Sequence, residues 1–302
     1  MGNKELIGVD LRLSATRNGF FRILLERVRH RFPLPFATCG ILDCHPSLWV
    51  SLASPFSSPR RKPMTKNDPW FDSMTGNAAL SNSELDALQE KGFVVTQDPV
   101  RTADLAALSR AYDATVIQAC PSDVREGSTT TRVQDFVNRG SEFDGVYLHA
   151  PLLYACCRII KQPFRLSSVV ARTLNPGKLP KKLHVDFPSD ECGWPMVGFV
   201  FMVDEFRPEN GATCFLPRSQ GSTEAPLALD RLVAATGPAG SMIIYNGSVW
   251  HEHGPNMTDS PRRSIQGAFI RRTEKAALDW QSRMSPETLS RLTPLAKYLL
   301  DL

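Results

Sequence analysis

The chain has 302 residues, of which 42% are hydrophobic and 22% charged, and its formal net charge is +4. That is long enough for one large domain or two modest ones, and it gives no argument for nucleic acid as a partner. The excess charge is local: residues 1–63 carry ten Lys/Arg against four Asp/Glu, so the remainder is slightly acidic. No stretch approaches the roughly 18–20 apolar residues of a membrane span. Arginines interrupt every apolar run near the start, and no secretory signal is visible. The seven cysteines are irregularly spaced and include no C-x-x-C, which disfavours a disulfide framework and fits a reducing, cytoplasmic compartment.

Residues 1–63 are rich in Arg, Pro, Ser and Phe and end in SSPRRKP. They can be read as an organellar transit peptide, as a disordered basic tail, or as an extension that is not part of the working protein. The last is favoured, with one domain over 64–302, because a well-formed domain opening appears only after Met64. In "LSNSELDALQEKGFVV", Ser81 and Glu84 make a capping box, Leu80 and Leu85 a hydrophobic staple, and Gly92 a left-handed stop. Phe93 to Thr96 follows as a strand. Thr102 is the expected cap of a second helix that puts Leu105, Leu108 and Tyr112 on one face, and a third helix is expected around Leu152 to Ile160.

From about Arg165 the texture changes to short strands separated by Gly, Pro and Asn. "RLSSVVARTL", "LHVDF", "MVGFVFMVDEF", "ATCFLP", "SMIIY", "SVWH" and "SIQGAFI" are the expected strands of a core over about 165–272. The third of these is apolar on both faces and is expected at the centre of a sheet. "SPETLSRLTPLAKYLL" returns to helix. The expected class is therefore mainly β with flanking helices.

The "LHVDF" segment sets a histidine and a carboxylate two residues apart. On a strand, His184 and Asp186 would point to one face and Val185 to the other. Alone, H-x-D is weak evidence for a metal. A third donor is available in "VWHEHGPNMTDSPRR", as His251 or His253. Two His and one carboxylate form the facial triad of non-haem Fe(II) oxygenases, leaving sites for a bidentate 2-oxo acid and for dioxygen. Such a cosubstrate needs a fixed cation for its far carboxylate. Arg262, eleven residues after His251, supplies a planar fork, and the adjacent Arg263 should face the opposite side of its strand. Two linked schemes stay open, His251 with Arg262 or His253 with Arg263. Trp194 is a candidate for the cosubstrate pocket or for plain core packing. Thr213 is a turn residue that could also bond the cosubstrate. Arg165 and Arg172 could meet an acidic substrate or simply face solvent.

The helix followed by "GFVV", the H-V-D triplet, "ENGATCFLPRSQ" and W-H-x-x-G-P-N-x-T-x-x-x-R together resemble the phytanoyl-CoA dioxygenase-like family of Fe(II)/2-oxoglutarate oxygenases over roughly residues 80 to 300. The resemblance implies a double-stranded β-helix (jelly-roll) core. It implies Fe(II) held by His184, Asp186 and His251, with 2-oxoglutarate anchored by Arg262 and O2 as the oxidant. It implies hydroxylation, or another oxidation, of an unactivated C–H in a small organic substrate, with release of succinate and CO2. Halogenating relatives lack the carboxylate, so Asp186 argues against halogenation. Two departures stand out: Pro217, Arg218, Ser219 and Gln220 occupy the place of P-G-S-H, and Val185 stands where some members carry an amide. The alternative class is a non-catalytic jelly-roll metal-binding or sensing protein, which would have no need of Arg262. Neither the substrate nor the oligomeric state can be read from the residues.

Overall fold

The computed structural model describes residues 68–302, apart from Asp98, Lys181 and 225–228. The basic segment 1–63 and its three readings lie outside the described residues. Helix α1 (Pro69–Gly76) starts where the Asp68 carboxylate accepts the backbone N–H groups of Trp70 and Phe71. Helix α2 (Asn82–Lys91) carries the expected capping box between Ser81 and Glu84. It ends at Gly92, whose φ of 86° is left-handed and whose missing side chain leaves room for Val249. The chain then enters β1 (Phe93–Thr96). Helix α3 (Thr102–Gln118) departs from expectation at its start: Arg101 takes the cap position without a side-chain bond, and Thr102 is already helical. A hairpin of β2 (Val124–Glu126) and β3 (Thr130–Val133) follows, then α4 (Asp144–Tyr147) and α5 (Ala150–Ile160).

The remaining strands are β4 (Phe164–Leu174), β5 (Met196–Met202), β6 (Thr213–Phe215), β7 (Val233–Ala234), β8 (Met242–Asn246), β9 (His251–His253) and β10 (Arg262–Arg271). They form two antiparallel sheets, one ordered β1-β8-β5-β10-β4-β3-β2 and the other β7-β6-β9. The expected strand "LHVDF" is reduced to a single bridge between His184 and His251, after which the backbone bends. With that bridge counted, β4-β10-β5-β8 faces His184-β9-β6-β7. This is the jelly-roll arrangement, built as two facing layers rather than a closed barrel.

Strand alternation gives the larger sheet two different faces. Val169 and Ala171 of β4, Val197, Phe199 and Phe201 of β5, and Ile265 and Phe269 of β10 join the helices in one large core. The opposite face packs Val200, Ile243 and Tyr245 against Phe215 and Ala212 in a second core between the sheets. Strand β5 is buried on both sides, as its apolar run predicts. After a short helix α6 (Trp280–Arg283), the segment 285–300 is not one helix but two, α7 (Pro286–Arg291) and α8 (Pro294–Leu300). Pro294 disfavours helical backbone at Thr293, which stays extended and caps α8 through its hydroxyl. No described helix is long and apolar enough to cross a membrane.

Candidate metal centre and cosubstrate pocket

His184 and Asp186 keep the parity of a strand even though they form only one bridge. Leu183 and Val185 turn into a small cluster with Leu216 and Trp250, so the two polar residues between and after them turn the other way. The backbone N–H of Asp186 donates to the Gly247 carbonyl at 3.0 Å, fixing the bend beside the β8–β9 connection. His251 follows Trp250 and points opposite to it, toward Asp186. The "W-H" pair thus divides its work: Trp250 holds the segment from behind, and His251 faces it.

One donor atom from each of His184, Asp186 and His251 lies within 4.8 Å of the others. The Nε2 atoms of His184 and His251 are 3.7 and 3.6 Å from the Asp186 carboxylate oxygens. Each imidazole has its Nδ1 against a backbone carbonyl, Lys182 for His184 at 3.0 Å and Val249 for His251 at 2.9 Å. A carbonyl only accepts, so Nδ1 carries a proton and, in the neutral ring, Nε2 keeps its lone pair. Burial, opposed by the Asp186 charge, lowers the pKa of His251 and keeps the ring neutral. Two imidazoles and a carboxylate, with the Nδ1 of each ring set against a backbone carbonyl, fit a divalent transition metal such as iron.

His253 lies two residues further along β9, opposite Thr213 of β6. It lines the same cavity but stands outside the three-residue cluster. Its Nδ1 meets the Gly254 carbonyl at 2.8 Å, and its buried Nε2 has no hydrogen-bond partner. Arg262 lies in the same cavity and is only 2% exposed. Its guanidinium stacks 3.8 Å over the Phe206 ring, while Nε and Nη1 have no partner. Burial, with Arg172 nearby, pushes its pKa down to about 9. A buried cation without a counter-charge is costly unless an anion joins it. Arg263, next in sequence, points to the helical side and is held by Asp204 and Asp113, each at 2.7 Å. The strand therefore separates two adjacent arginines into one free fork and one saturated fork.

The cavity measures about 410 Å³ and brings together His184, Asp186, His251, Arg262 and Thr213. Trp194 is not among its lining residues: its Nε1 donates to the Gln220 carbonyl at 3.2 Å, and its ring packs against the helical core. Arg165 is likewise engaged elsewhere, with Asp301. Arg172 does line the cavity. Sequence reasoning missed Tyr245, whose hydroxyl donates to Asp186 Oδ2 at 2.6 Å. The available signal was parity on β8, where Tyr245 shares the inner face with Ile243. In the loop Pro217 to Gln220, Arg218 adopts a left-handed φ of 65° that glycine would take without strain. Ser219 works there as a hinge pin, donating its hydroxyl to the Leu216 carbonyl and accepting the N–H of Trp250.

The chain spans about half the length of the curated relatives it matches. The dioxygenase af480 of Aspergillus fumigatus is 29% identical over 146 residues, covering 45% of this chain and 47% of that protein. The dioxygenase sphC of the same species is 30% identical over 164 residues, covering 48% and 44%. Among solved structures, HygX from Streptomyces hygroscopicus, crystallised with nickel and 2-oxoglutarate, matches with a TM-score of 0.54 at 14% identity over 66% of this chain and 90% of that one. EctD from S. alaskensis with bound Fe matches with a TM-score of 0.56 at 17% identity, covering 67% and 82%. At these identities the structural likeness speaks for the fold. The sequence profile of the phytanoyl-CoA dioxygenase (PhyH) family matches residues 88–264, a span that contains the histidine–aspartate–histidine cluster and Arg262. This chain belongs to the phytanoyl-CoA dioxygenase family.

Proposed function

We propose that the protein is an Fe(II)- and 2-oxoglutarate-dependent dioxygenase that oxidises an unactivated C–H of a small organic substrate, with release of succinate and CO2. The observation that carries this reading is the pairing, in one cavity, of three convergent metal donors with the buried, unpaired guanidinium of Arg262. His184, Asp186 and His251 would hold the metal, and Arg262 would receive the far carboxylate of 2-oxoglutarate with Thr213 as a neighbouring hydroxyl. When bound, the iron supplies O2-dependent oxidation coupled to decarboxylation of the cosubstrate.

The chain's own residues have narrower tasks. The Lys182 and Val249 carbonyls favour the tautomer with the proton on Nδ1, so each neutral ring presents its Nε2 lone pair to a cation. Tyr245 holds one oxygen of Asp186 and so limits rotation of the carboxylate. Arg262, backed by the Phe206 ring, is preorganised for a carboxylate because no protein acid competes for it among the described ion pairs. Val200, Met196 and Ile270 give part of the cavity an apolar wall that excludes water from a bound substrate.

The test is anaerobic addition of Fe(II) and 2-oxoglutarate to the purified chain. The expected result is a visible metal-to-ligand charge-transfer band that needs both additions. Admission of O2 with a panel of candidate substrates should then release succinate. A folded protein that takes up neither metal nor 2-oxoglutarate would overturn the reading, and O2 consumption independent of 2-oxoglutarate would move it to another class of iron oxygenase.

A further inference from the structure

The cavity wall has an excess of positive charge that the metal and cosubstrate do not use. Its lining includes Arg132, Arg172, Arg262 and Lys275, against the single carboxylate Asp186. A divalent metal, Asp186, doubly charged 2-oxoglutarate and Arg262 together cancel. Arg132, Arg172 and Lys275 are then left over. Neither Arg132 nor Arg172 belongs to any ion pair among the described residues. Among the described residues, the one side-chain bond of Arg172 goes from Nη1 to Gln266 Oε1 at 3.0 Å, and its buried Nε has no partner.

The register makes this arrangement unfavourable for the protein alone. Arg125 of β2 lies directly opposite Arg132 of β3, and Arg132 directly opposite Arg172 of β4. Like charges facing one another across antiparallel strands destabilise a sheet. Burial, followed by the charge of Arg132, pushes the Arg172 pKa down to about 10, which reflects the same crowding. The row runs toward the metal donors, with Arg172 at its inner end and Arg125 exposed at its outer end. Ser168 and Gln266 add polar groups on the same wall.

We propose that the primary substrate carries an oxyanion, a carboxylate or a phosphate, that is received by Arg172 with Arg132 behind it, while Arg262 serves the cosubstrate. The inference rests on the dioxygenase reading for its charge balance. It makes Arg172 a specificity-determining residue: the anionic end docks on the arginine row, and the apolar body lies along Val170 and Val200 toward the metal donors. Arginine suits that task because its fork binds an oxyanion through two hydrogen bonds.

The test uses the full chain, kept anaerobic and loaded with Mn(II) and saturating 2-oxoglutarate. Calorimetry and thermal shift compare three probes with the same straight octyl chain, namely nonanoate, octyl phosphate and octan-1-ol. At least one anion should bind about tenfold or more tightly than the alcohol, and the stronger anion identifies the carboxylate or phosphate source. Arg172→Gln should erase that preference while leaving 2-oxoglutarate affinity within about twofold. Arg172→Lys, which keeps the charge and loses the fork, should retain part of it, and the exposed Arg132→Gln should weaken the anions without disturbing the fold. Anions no better than the alcohol would overturn the proposal, as would a preference that survives in both glutamine variants. It is also overturned if Arg172→Gln lowers 2-oxoglutarate affinity as far as Arg262→Gln does, since Arg172 would then serve the cosubstrate. If the unaltered chain binds neither Mn(II) nor 2-oxoglutarate, the dioxygenase reading fails separately, and the same probes on the metal-free chain still decide the anion site.

Discussion

The Tyr245 hydroxyl donates to Asp186 Oδ2 at 2.6 Å, and the ring that carries it lies over Gly198 on the neighbouring strand. A Cβ at Gly198 would overlap that ring. The glycine therefore gives Tyr245 the space it needs to reach the carboxylate. Tyr245→Phe is expected to keep the fold and weaken metal affinity by about tenfold, the usual scale for losing a hydrogen bond to a metal-binding carboxylate. Titration with Fe(II) or Mn(II) measures it. Gly198→Ala should instead lower stability by about 1–3 kcal/mol through overpacking, visible in a denaturant melt.

The two histidines of β9 should separate cleanly in a metal-content assay. His251→Ala and Asp186→Ala are each expected to abolish stoichiometric metal uptake while the metal-free melting temperature changes little. His253→Ala should keep the metal, because its Nε2 lies outside the three-donor cluster. Metal lost with His253→Ala and retained with His251→Ala would reverse the assignment.

Arg262 is buried and has no ion-pair partner among the described residues, so its cost to the fold and the 2-oxoglutarate contact proposed for it pull in opposite directions. Arg262→Met should remove 2-oxoglutarate binding and yet stabilise the ligand-free chain by about 1–3 kcal/mol, because a flexible apolar side chain replaces an uncompensated buried charge. Thermal melts with and without 2-oxoglutarate check both signs together.

Arg218 has a positive φ in the loop between β6 and β7. Arg218→Gly should relieve left-handed strain of about 1 kcal/mol, partly offset by the greater freedom of glycine in the unfolded chain. The ion pair that it removes, with Glu90 at 3.2 Å, is exposed on both sides and contributes little. A small rise in melting temperature is the expected result.

Acid sensitivity is predicted at Asp190. Its carboxyl is held below the usual range, chiefly by the hydrogen bond from Arg271 and also by the Cys192 N–H, with burial opposing. Both oxygens meet the guanidinium, at 2.7 and 3.1 Å, and Glu274 approaches the same arginine at 3.7 Å. The folded pKa is depressed, so the stabilisation is fully present above the ordinary aspartate value of about 3.9. It is lost as pH falls through the folded value. Asp190→Asn should thus melt below the unaltered chain at neutral pH, and the gap should close in acid.

Local chemistry in the sequence announces the parts of this molecule that are themselves local. The Ser81–Glu84 box and the Gly92 stop are each decided within a few residues, and each is found in its expected place; the H-V-D triplet keeps its side-chain parity but not the strand expected for it. Residues that depend on partners far along the chain are harder to see. The role of Tyr245 exists only because β8 lies beside β5 and the bend at Asp186 comes up beneath it. The cavity position of Arg172 follows from register with β3 and β10, which alternation alone does not set. The β2–β3 hairpin is short and polar, with no apolar alternation to betray it. Trp194 was readable as a pocket residue because nothing in its neighbourhood says that its indole N–H already has an acceptor at Gln220.

The two halves of the cavity belong to different layers. His251 is part of the small sheet and His184 is tied to it by a bridge, whereas Arg262 and Tyr245 belong to the large one. A molecule held at one end by a metal and at the other by Arg262 therefore acts as a crosslink between layers that otherwise meet through side-chain packing and loops. Its arrival should slow amide hydrogen exchange in β6 and β9 more than in β4 and β5. Loading with metal alone, which engages Asp186 and the small sheet without reaching Arg262, should protect them less.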